Sequence, residues 1–504
     1  MTRRLPAALL LVIAILAAAF PAALARADVL DDYWYLVEVQ GKKCGHMHAW
    51  TIKDGNRFTT HSEMLMKLKR GESIVPVELS SRFTESADAK PLKMRSEVKL
   101  GAMPTIDEYT FKPDGVEVTH TVANSRQTET KPLPDGEWLT PVALGNYIEA
   151  RIAAGDKEIT ARSIEPTVGT KPAKQTLKLI EKTTIDVVGK TVPALKWSST
   201  SDLVPNVEST EYTDDKGVSL RSENDIGGIK VVLIRADKAV ALAKADPPEL
   251  LESTFIRPDK AISSPRTSHT ADFTVSCPDA PLGDWPTSAA QTVTRIDDHT
   301  ARVHVESSRT SPIPAEEADK PEFRKPSSMI NSADPEVLKL RDQALAGHEK
   351  EAPAARAELL RQFVFHFISK KSFDVGFASA AETARTRCGD CTEHAVLLCA
   401  LLRAADIPAR CVSGLVYVEG AGAPNTLAAR GFFGYHMWAQ AMLPGDDGKP
   451  HWTDLDAALS PSIPMDATHI AIKPTSLADG ETVNALLDIL PTLGKLRIKV
   501  GEVK

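Results

Sequence analysis

After its first 27 residues the chain has no apolar run of membrane-spanning length, which argues against a polytopic helical membrane protein. Cysteine is scarce and unevenly placed. Of the six, Cys44, Cys277, Cys388, Cys391, Cys399 and Cys411, four fall between positions 388 and 411, so they are not spread as a disulfide framework. Positive charge is not in excess either: the formal net charge of −7 argues against broad nucleic-acid binding. No D-x-D-x-D-G loop suggests calcium. Cys388 and Cys391 have no second ligand pair at zinc spacing, and His46 and His48 supply only two candidate ligands. The expectation is therefore no cofactor and no metal.

What is present describes an ordinary folded protein, with 42% hydrophobic and 25% charged residues in 504, too long for one core. Residues 1–27 read as an export signal: Arg3 and Arg4, then an apolar stretch from Leu9 to Phe20, then Ala25-Arg-Ala27 before Asp28. The mature protein is expected to be exported, periplasmic or extracellular, with no stable membrane insertion once the signal is removed. Oligomeric state has no signal in the sequence.

Residues 28–245 alternate in short runs broken by Gly, Pro, Asp and Asn, as in Tyr33-Trp-Tyr-Leu-Val-Glu-Val-Gln40 and Val116-Glu-Val-Thr-His120. This spacing predicts a meandering antiparallel sheet, a half-barrel or sandwich, interrupted by a helix from Val142 to Ala154. Residues 246–333 carry a second β segment, including Ala271–Cys277 and Thr300–Glu306. From position 308 to 335 they read as an exposed Ser/Pro-rich connector. Residues 334–504 change period: helices come first, with Asp334 capping and Pro335 at the first position, and strands follow, closing with Leu496–Val500. That order is an α+β domain.

The stretch from Arg385 to Arg410 organises this last domain. A Gly389-Asp390 turn delivers Cys391 onto the first turn of a helix whose Ala395, Leu398, Cys399 and Leu402 share an apolar face. The positive end of a helix dipole favours a thiolate, so Cys391 is the candidate nucleophile. Downstream, Phe433–Leu443 alternates around His436, and a Gly-Asp-Asp-Gly448 turn leads into His451-Trp-Thr-Asp-Leu-Asp456. Antiparallel pairing of these strands sets His436 beside an acid, either Asp454 or Asp456. Thiolate, imidazole and carboxylate are what attack on a carbonyl requires. Cys388-Gly-Asp-Cys391 also permits a thiol–disulfide reading, but it follows a helical run rather than a βαβ strand. First-turn Glu393 and His394 could approach the site, but Glu393 also simply suits the positive helix end, and His394 reads as a surface residue.

Together, Gly389-Asp-Cys-Thr-Glu-His-Ala395, the helix end Leu402-Arg-Ala-Ala-Asp-Ile-Pro-Ala-Arg410, the His436-Met-Trp438 strand and the Trp452-Thr-Asp-Leu-Asp456 strand resemble the transglutaminase-like core, over roughly residues 335 to 480. The resemblance implies a papain-like α+β fold and a Cys391, His436, Asp456 triad. Asp456 matches the family's aspartate four residues after a tryptophan, and Asp454 is the fallback. Asp-Ala-Ala stands here where the family often has Asp-Pro-Thr. The implied activity is cysteine-dependent acyl transfer on amide or peptide bonds of a protein or peptide substrate, ending in transamidation or hydrolysis. A non-catalytic binding or scaffold protein is the alternative. The architecture of the β-rich region suggests docking of a protein or an envelope polymer.

Overall fold

The computed structural model describes residues 28–479 and 492–504, except 71–72, 101–103, 123–124, 204–207, 227–228, 250–253, 372–376, 421–430 and 464; the expected export signal lies outside the described residues. No helix among them is long and apolar enough to cross a membrane.

Fourteen strands, β1 (Asp28–Val39) through β14 (Ile229–Ala236), make one antiparallel half-barrel sheet. Two meanders build it. Strands β1 to β8 run one way from the middle, β14 back to β9 run the other, and β1 pairs with β14 at the join. Helix α1 (Pro141–Ala153) links the two free edges. The first turn shows how sequence sets register: Gln40 and Gly41 both have positive φ, 52° and 73°, between paired Val39 and Lys42. Two left-handed residues suit the twist of a tight hairpin. On one face of this sheet Trp34, His48, Trp50 and His61 stack in a column, with ring centroids 3.9, 4.1 and 4.5 Å apart, and His48 bonds Asp32 at 2.7 Å. His48 is thus an interstrand residue, as its alternation predicts. Helix α2 (Lys238–Leu242) follows the sheet.

The second β segment, β15 (Thr270–Ser276), β16 (Gln291–Asp297) and β17 (Thr300–Glu306), is completed from the far end of the chain. Strand β25 (Arg497–Val503) pairs with β15, in the order β16-β17-β15-β25. Leu496–Val500 therefore closes this small sheet and not the sheet of the site, and the two ends share a core of Phe273, Val275, Ile470 and Ile498. The stretch read as an exposed connector is pinned down. It contains β18 (Ser311–Pro312) and α3 (Ala315–Ala318), and it buries Ile313, Phe323 and Ile330. Apolar residues at wide spacing within Ser, Pro and Lys gave no periodic signal there.

The last region holds α4 (Pro335–Ala344), α5 (Pro353–Phe367), β19 (Lys370–Lys371), α6 (Ala380–Thr386), β20 (Cys388–Gly389) and α7 (Cys391–Ala404), then β21 (Ala409–Val418), β22 (Phe432–Pro444), β23 (Pro450–Leu455) and β24 (Ile470–Thr475). The strands form an antiparallel sheet, β18-β23-β22-β21-β24. Helix α7 packs on β22 and β21 and is covered by α4, α5 and α6. Every residue from Glu393 to Arg403 is buried, so α7 is a central helix rather than an amphipathic one. Truncating Leu397 or Leu398 to Ala is expected to cost about 3 kcal/mol. Its C-terminal end is tied by Arg403, which donates to the main-chain oxygens of Ala409, Lys325 and Ser476 at 2.8–3.0 Å. Leu100 of the half-barrel packs against this core, and Leu493 packs back against Val37 and Cys44.

Candidate active site

The N-terminus of α7 is held by a reciprocal cap. Asp390 Oδ1 accepts from Thr392 N at 3.0 Å, while Glu393 Oε2 accepts from Asp390 N at 2.8 Å. Glu393 Oε1 also accepts from Ala378 N at 2.8 Å, so one buried carboxylate fixes two loops beside Cys391. Burial, followed by the negative charge of Asp390, raises its carboxyl above the usual range. Gly389 leaves room for this: a β-carbon there would collide with the Glu393 side chain. Asp-x-x-Glu ahead of an apolar helix was the sequence signal for the cap, and it reads better than a bare dipole effect.

His436 stands on β22 with its Nε2 2.7 Å from Asp456 Oδ2. That leaves Nδ1 as the nitrogen available to Cys391, whose sulfur lies near enough to favour positive charge on the ring. The three sequence-predicted side chains are thus brought together from α7, β22 and the end of β23. Burial opposes the imidazolium, but the Asp456 carboxylate, with the Cys391 sulfur, outweighs it and pushes His436 up to about 10. Asp456 is 3% exposed. Burial works against its charge, yet His436 and His469 hold it far below the usual carboxylate range.

The β22–β23 register separates the two acids. Gln440 lies opposite Asp454, so position 456 lies beyond the strand end, diagonal to His436. Asp454 takes other donors: Trp438 Nε1 at 2.7 Å, Gln440 Nε2 at 2.8 Å and Ala290 N at 3.2 Å. It knits the second β segment to the strand carrying His436. Asp456 is fixed at its own Oδ1 by Ala458 N at 2.7 Å, and its main-chain oxygen accepts from buried Arg361 of α5 at 3.2 Å.

Residues 341–457 match a family model described as the transglutaminase-like superfamily. This stretch is a transglutaminase-like domain. Similarity at low identity is found to three chains of solved structure. A β-barrel-like protein of a domain of unknown function from Brucella abortus is 10% identical, covering 41% of this chain and 95% of its own, at a TM-score of 0.32. A candidate cysteine protease from Cytophaga hutchinsonii is 15% identical, covering 47% and 87%, at 0.26. A candidate protease from Parabacteroides distasonis ATCC 8503 is 12% identical, covering 77% and 68%, at 0.18. No curated protein matches in sequence.

Other residues of the transglutaminase-like domain depart from their sequence reading or escaped it. His394, expected at the surface, is 2% exposed, with Nδ1 2.5 Å from the Asp390 oxygen and Nε2 without a partner among the described residues. Burial lowers its ring below the usual imidazole range. Cys399 and Cys411 are buried, as expected of core residues. Cys388 and Cys391 are not joined in a disulfide. His469 lies just before β24. Its Nε2 lies 3.2 Å from Asp456 Oδ2. One ligand atom each from His436, Asp456 and His469 lies within 4.8 Å of the others, a set that could hold a metal ion. Each ring already meets the same carboxylate at hydrogen-bond length, 2.7 and 3.2 Å, so the cluster is complete as a hydrogen-bonded chain.

Proposed function

We propose that the transglutaminase-like domain is a thiol enzyme acting on amide bonds of proteins or peptides through an acyl-enzyme at Cys391. The observation that carries this reading is the convergence of Cys391, His436 and Asp456 from three elements, with the His436–Asp456 bond at 2.7 Å. The Cys391 sulfur attacks the amide carbonyl carbon and the carbonyl oxygen takes the charge. When the tetrahedral adduct collapses, the C–N bond breaks and His436 gives its proton to the departing amine. Water or a second amine then attacks the thioester, His436 takes the attacking proton, and the thiolate leaves. Asp456 holds the imidazole in orientation and stabilises its cation without taking the proton itself. Attack by water is hydrolysis and attack by an amine is transamidation.

Export belongs to the same proposal: residues 1–27 direct the chain out of the cytosol, and the half-barrel docks a protein or envelope-polymer substrate. Recovery of the protein outside the cytosol with Asp28 as its N-terminus supports export. A cytosolic product beginning at Met1 removes it.

The first test of the chemistry is limiting alkylation of the reduced full-length protein by iodoacetamide near neutral pH, read by mass spectrometry. Selective modification of Cys391, slowed about tenfold or more in His436→Ala, supports an activated pair. Slow modification indifferent to His436 moves the weight to a non-catalytic binding protein. Incubation with a protein substrate and a labelled primary amine then separates amine incorporation from cleavage.

A further inference from the structure

We propose that His469 is a positioning residue for the thiol chemistry: it acts through Asp456, holding its carboxylate on His436 and carrying the buried positive charge that balances it. This rests on the reading of Cys391, His436 and Asp456 as the reacting site.

The sheet brings the two histidines together. Gly414 of β21 pairs with His436 on one side and with Ala471 of β24 on the other. His469 immediately precedes β24, and its ring centroid lies 5.7 Å from that of His436. Gly414 is required here, because a β-carbon would collide with the Ile470 oxygen and the Trp438 ring. Trp438 then stands edge-on to His469 at 5.4 Å and closes that side.

Both ring nitrogens of His469 face oxygens that can only accept. Nε2 meets Asp456 Oδ2 at 3.2 Å, and Nδ1 meets the Asp466 main-chain oxygen and Oδ1, both at 3.2 Å. Satisfying both sides takes two N–H donors, which is the imidazolium. The residue is 3% exposed, so water offers no alternative partner. Asp466 is itself anchored. Its Oδ1 accepts from Thr468 N at 2.8 Å and Thr468 Oγ1 at 2.5 Å, and its Oδ2 accepts from Arg266, which also reaches the Tyr417 oxygen. The result is an alternating chain from Cys391 through His436, Asp456, His469 and Asp466 to Arg266, drawn from α7, β22, the end of β23, the approach to β24 and the 265–267 turn.

Two consequences follow for the reacting end. With His469 and Ala458 N both in place, the Asp456 carboxylate is fixed at both oxygens and cannot rotate away from His436. Removing His469 also deletes a positive charge from a dry site, so a thiolate at Cys391 becomes harder to form. Its neighbours give no substitute, since the charged groups facing His469 are Asp456, Asp466 and the His436 ring, with Arg266 behind Asp466.

The test is the pH profile of Cys391 alkylation by iodoacetamide in the reduced full-length protein, for wild type, His436→Ala, His469→Gln and His469→Leu. Gln keeps a neutral donor toward Asp456, so it preserves orientation and folding better than Leu. In His469→Gln the midpoint is expected to rise by about one pH unit, with the plateau rate within about twofold of wild type. In His469→Leu the midpoint rises similarly and the plateau falls about tenfold. Profiles that superpose on wild type in both variants, with only a lower melting temperature, overturn the positioning role while leaving the thiol reading intact. A wild-type profile that His436→Ala does not change overturns both.

Discussion

Arg361 Nη1, inside helix α5, donates to the main-chain oxygen of Asp456 at 3.2 Å, and so the acid of the candidate site is held from a helix that carries neither the thiol nor the imidazole. The same guanidinium reaches the Leu459 and Pro461 oxygens at 3.3 and 3.4 Å and is paired through two bonds with Glu358. Replacing Arg361 with Met leaves buried carbonyls unpaired and frees the segment after β23. We expect Arg361→Met to lose about 3 kcal/mol in denaturant unfolding and to slow Cys391 alkylation several-fold. Unchanged alkylation in a destabilised variant would show that the Asp456 segment is held well enough by Ala458 and the two histidines.

The two acids of β23 and its end make opposite predictions. Asp456→Asn removes the carboxylate bonded to His436 and leaves an amide whose NH₂ cannot accept. Turnover is expected to fall by about 10³-fold or more once a substrate is in hand, and the alkylation rate is expected to lose its dependence on His436. Asp454→Asn leaves His436 untouched. Its Oδ1 can still accept from Trp438 or Gln440, so activity should stay within a few-fold while stability drops by about 1–2 kcal/mol. Equal losses of activity in both variants would return Asp454 to the site.

How far the sequence reached follows from how local each feature is. Cys391, His436 and Asp456 sit on elements with clear periods, but a strand period of two puts Asp454 and Asp456 on one face, so the choice between the acids comes from the family resemblance and not from periodicity. The half-barrel was legible for the same reason, because alternating runs and turn residues specify a meander without distant information. Arg361 gave a weaker sign: Ala357, Leu360, Arg361 and Val364 fall at helical spacing on one buried face, so an arginine within that stripe needs a buried acceptor. His469 gave none, since its partners come from positions 456 and 466 and through the latter from 266. The pairing of β25 with β15 joins residues more than two hundred positions apart, and no local pattern encodes that.

Glu393 offers a test of how α7 is presented. Glu393→Ala breaks the reciprocal cap and the bond to Ala378 N, with an expected loss of about 1–2 kcal/mol. Gln can restore only one of the two acceptors and should recover part of it. Because burial and Asp390 raise the Glu393 carboxyl, its charged form is disfavoured in the fold. Its contribution is therefore larger at low pH, where the carboxyl is neutral, and declines as pH rises. The stability gap between wild type and Glu393→Gln should narrow from pH 5 to pH 8 in chemical denaturation, and a gap that widens would contradict this account.

Cys388 discriminates thiol chemistry from disulfide exchange. If Cys391 acts alone with His436, Cys388→Ser leaves alkylation of Cys391 and acyl transfer within about twofold under reducing conditions. If the pair works as a dithiol, Cys388→Ser is as damaging as Cys391→Ser. The same variant compared without reductant asks whether a Cys388–Cys391 disulfide silences the nucleophile: activity in wild type but not in Cys388→Ser should then depend on reductant.

The paired histidines also set how stability varies with pH. His436 and His469 are pushed to about 10 and about 9, above the ordinary imidazole value near 6.5, because after the opposing cost of burial their carboxylate partners dominate. Between pH 6.5 and those values the folded protein binds more protons than the unfolded chain, so stability falls as pH rises. The contribution is whole below about pH 6.5 and is lost as pH climbs through 9 and 10. Asp456 and Asp466 act in the other direction: both are held low, so their contribution is present above about pH 4 and is lost on acidification. Melting temperature should therefore decline from pH 7 to pH 10 in wild type. His469→Gln removes one of the two proton sites, lowers the melting temperature at pH 7, and flattens the decline. Parallel curves for the two proteins across that range would mean that His469 is neutral in the fold, and the charge-balance role assigned to it would go with them.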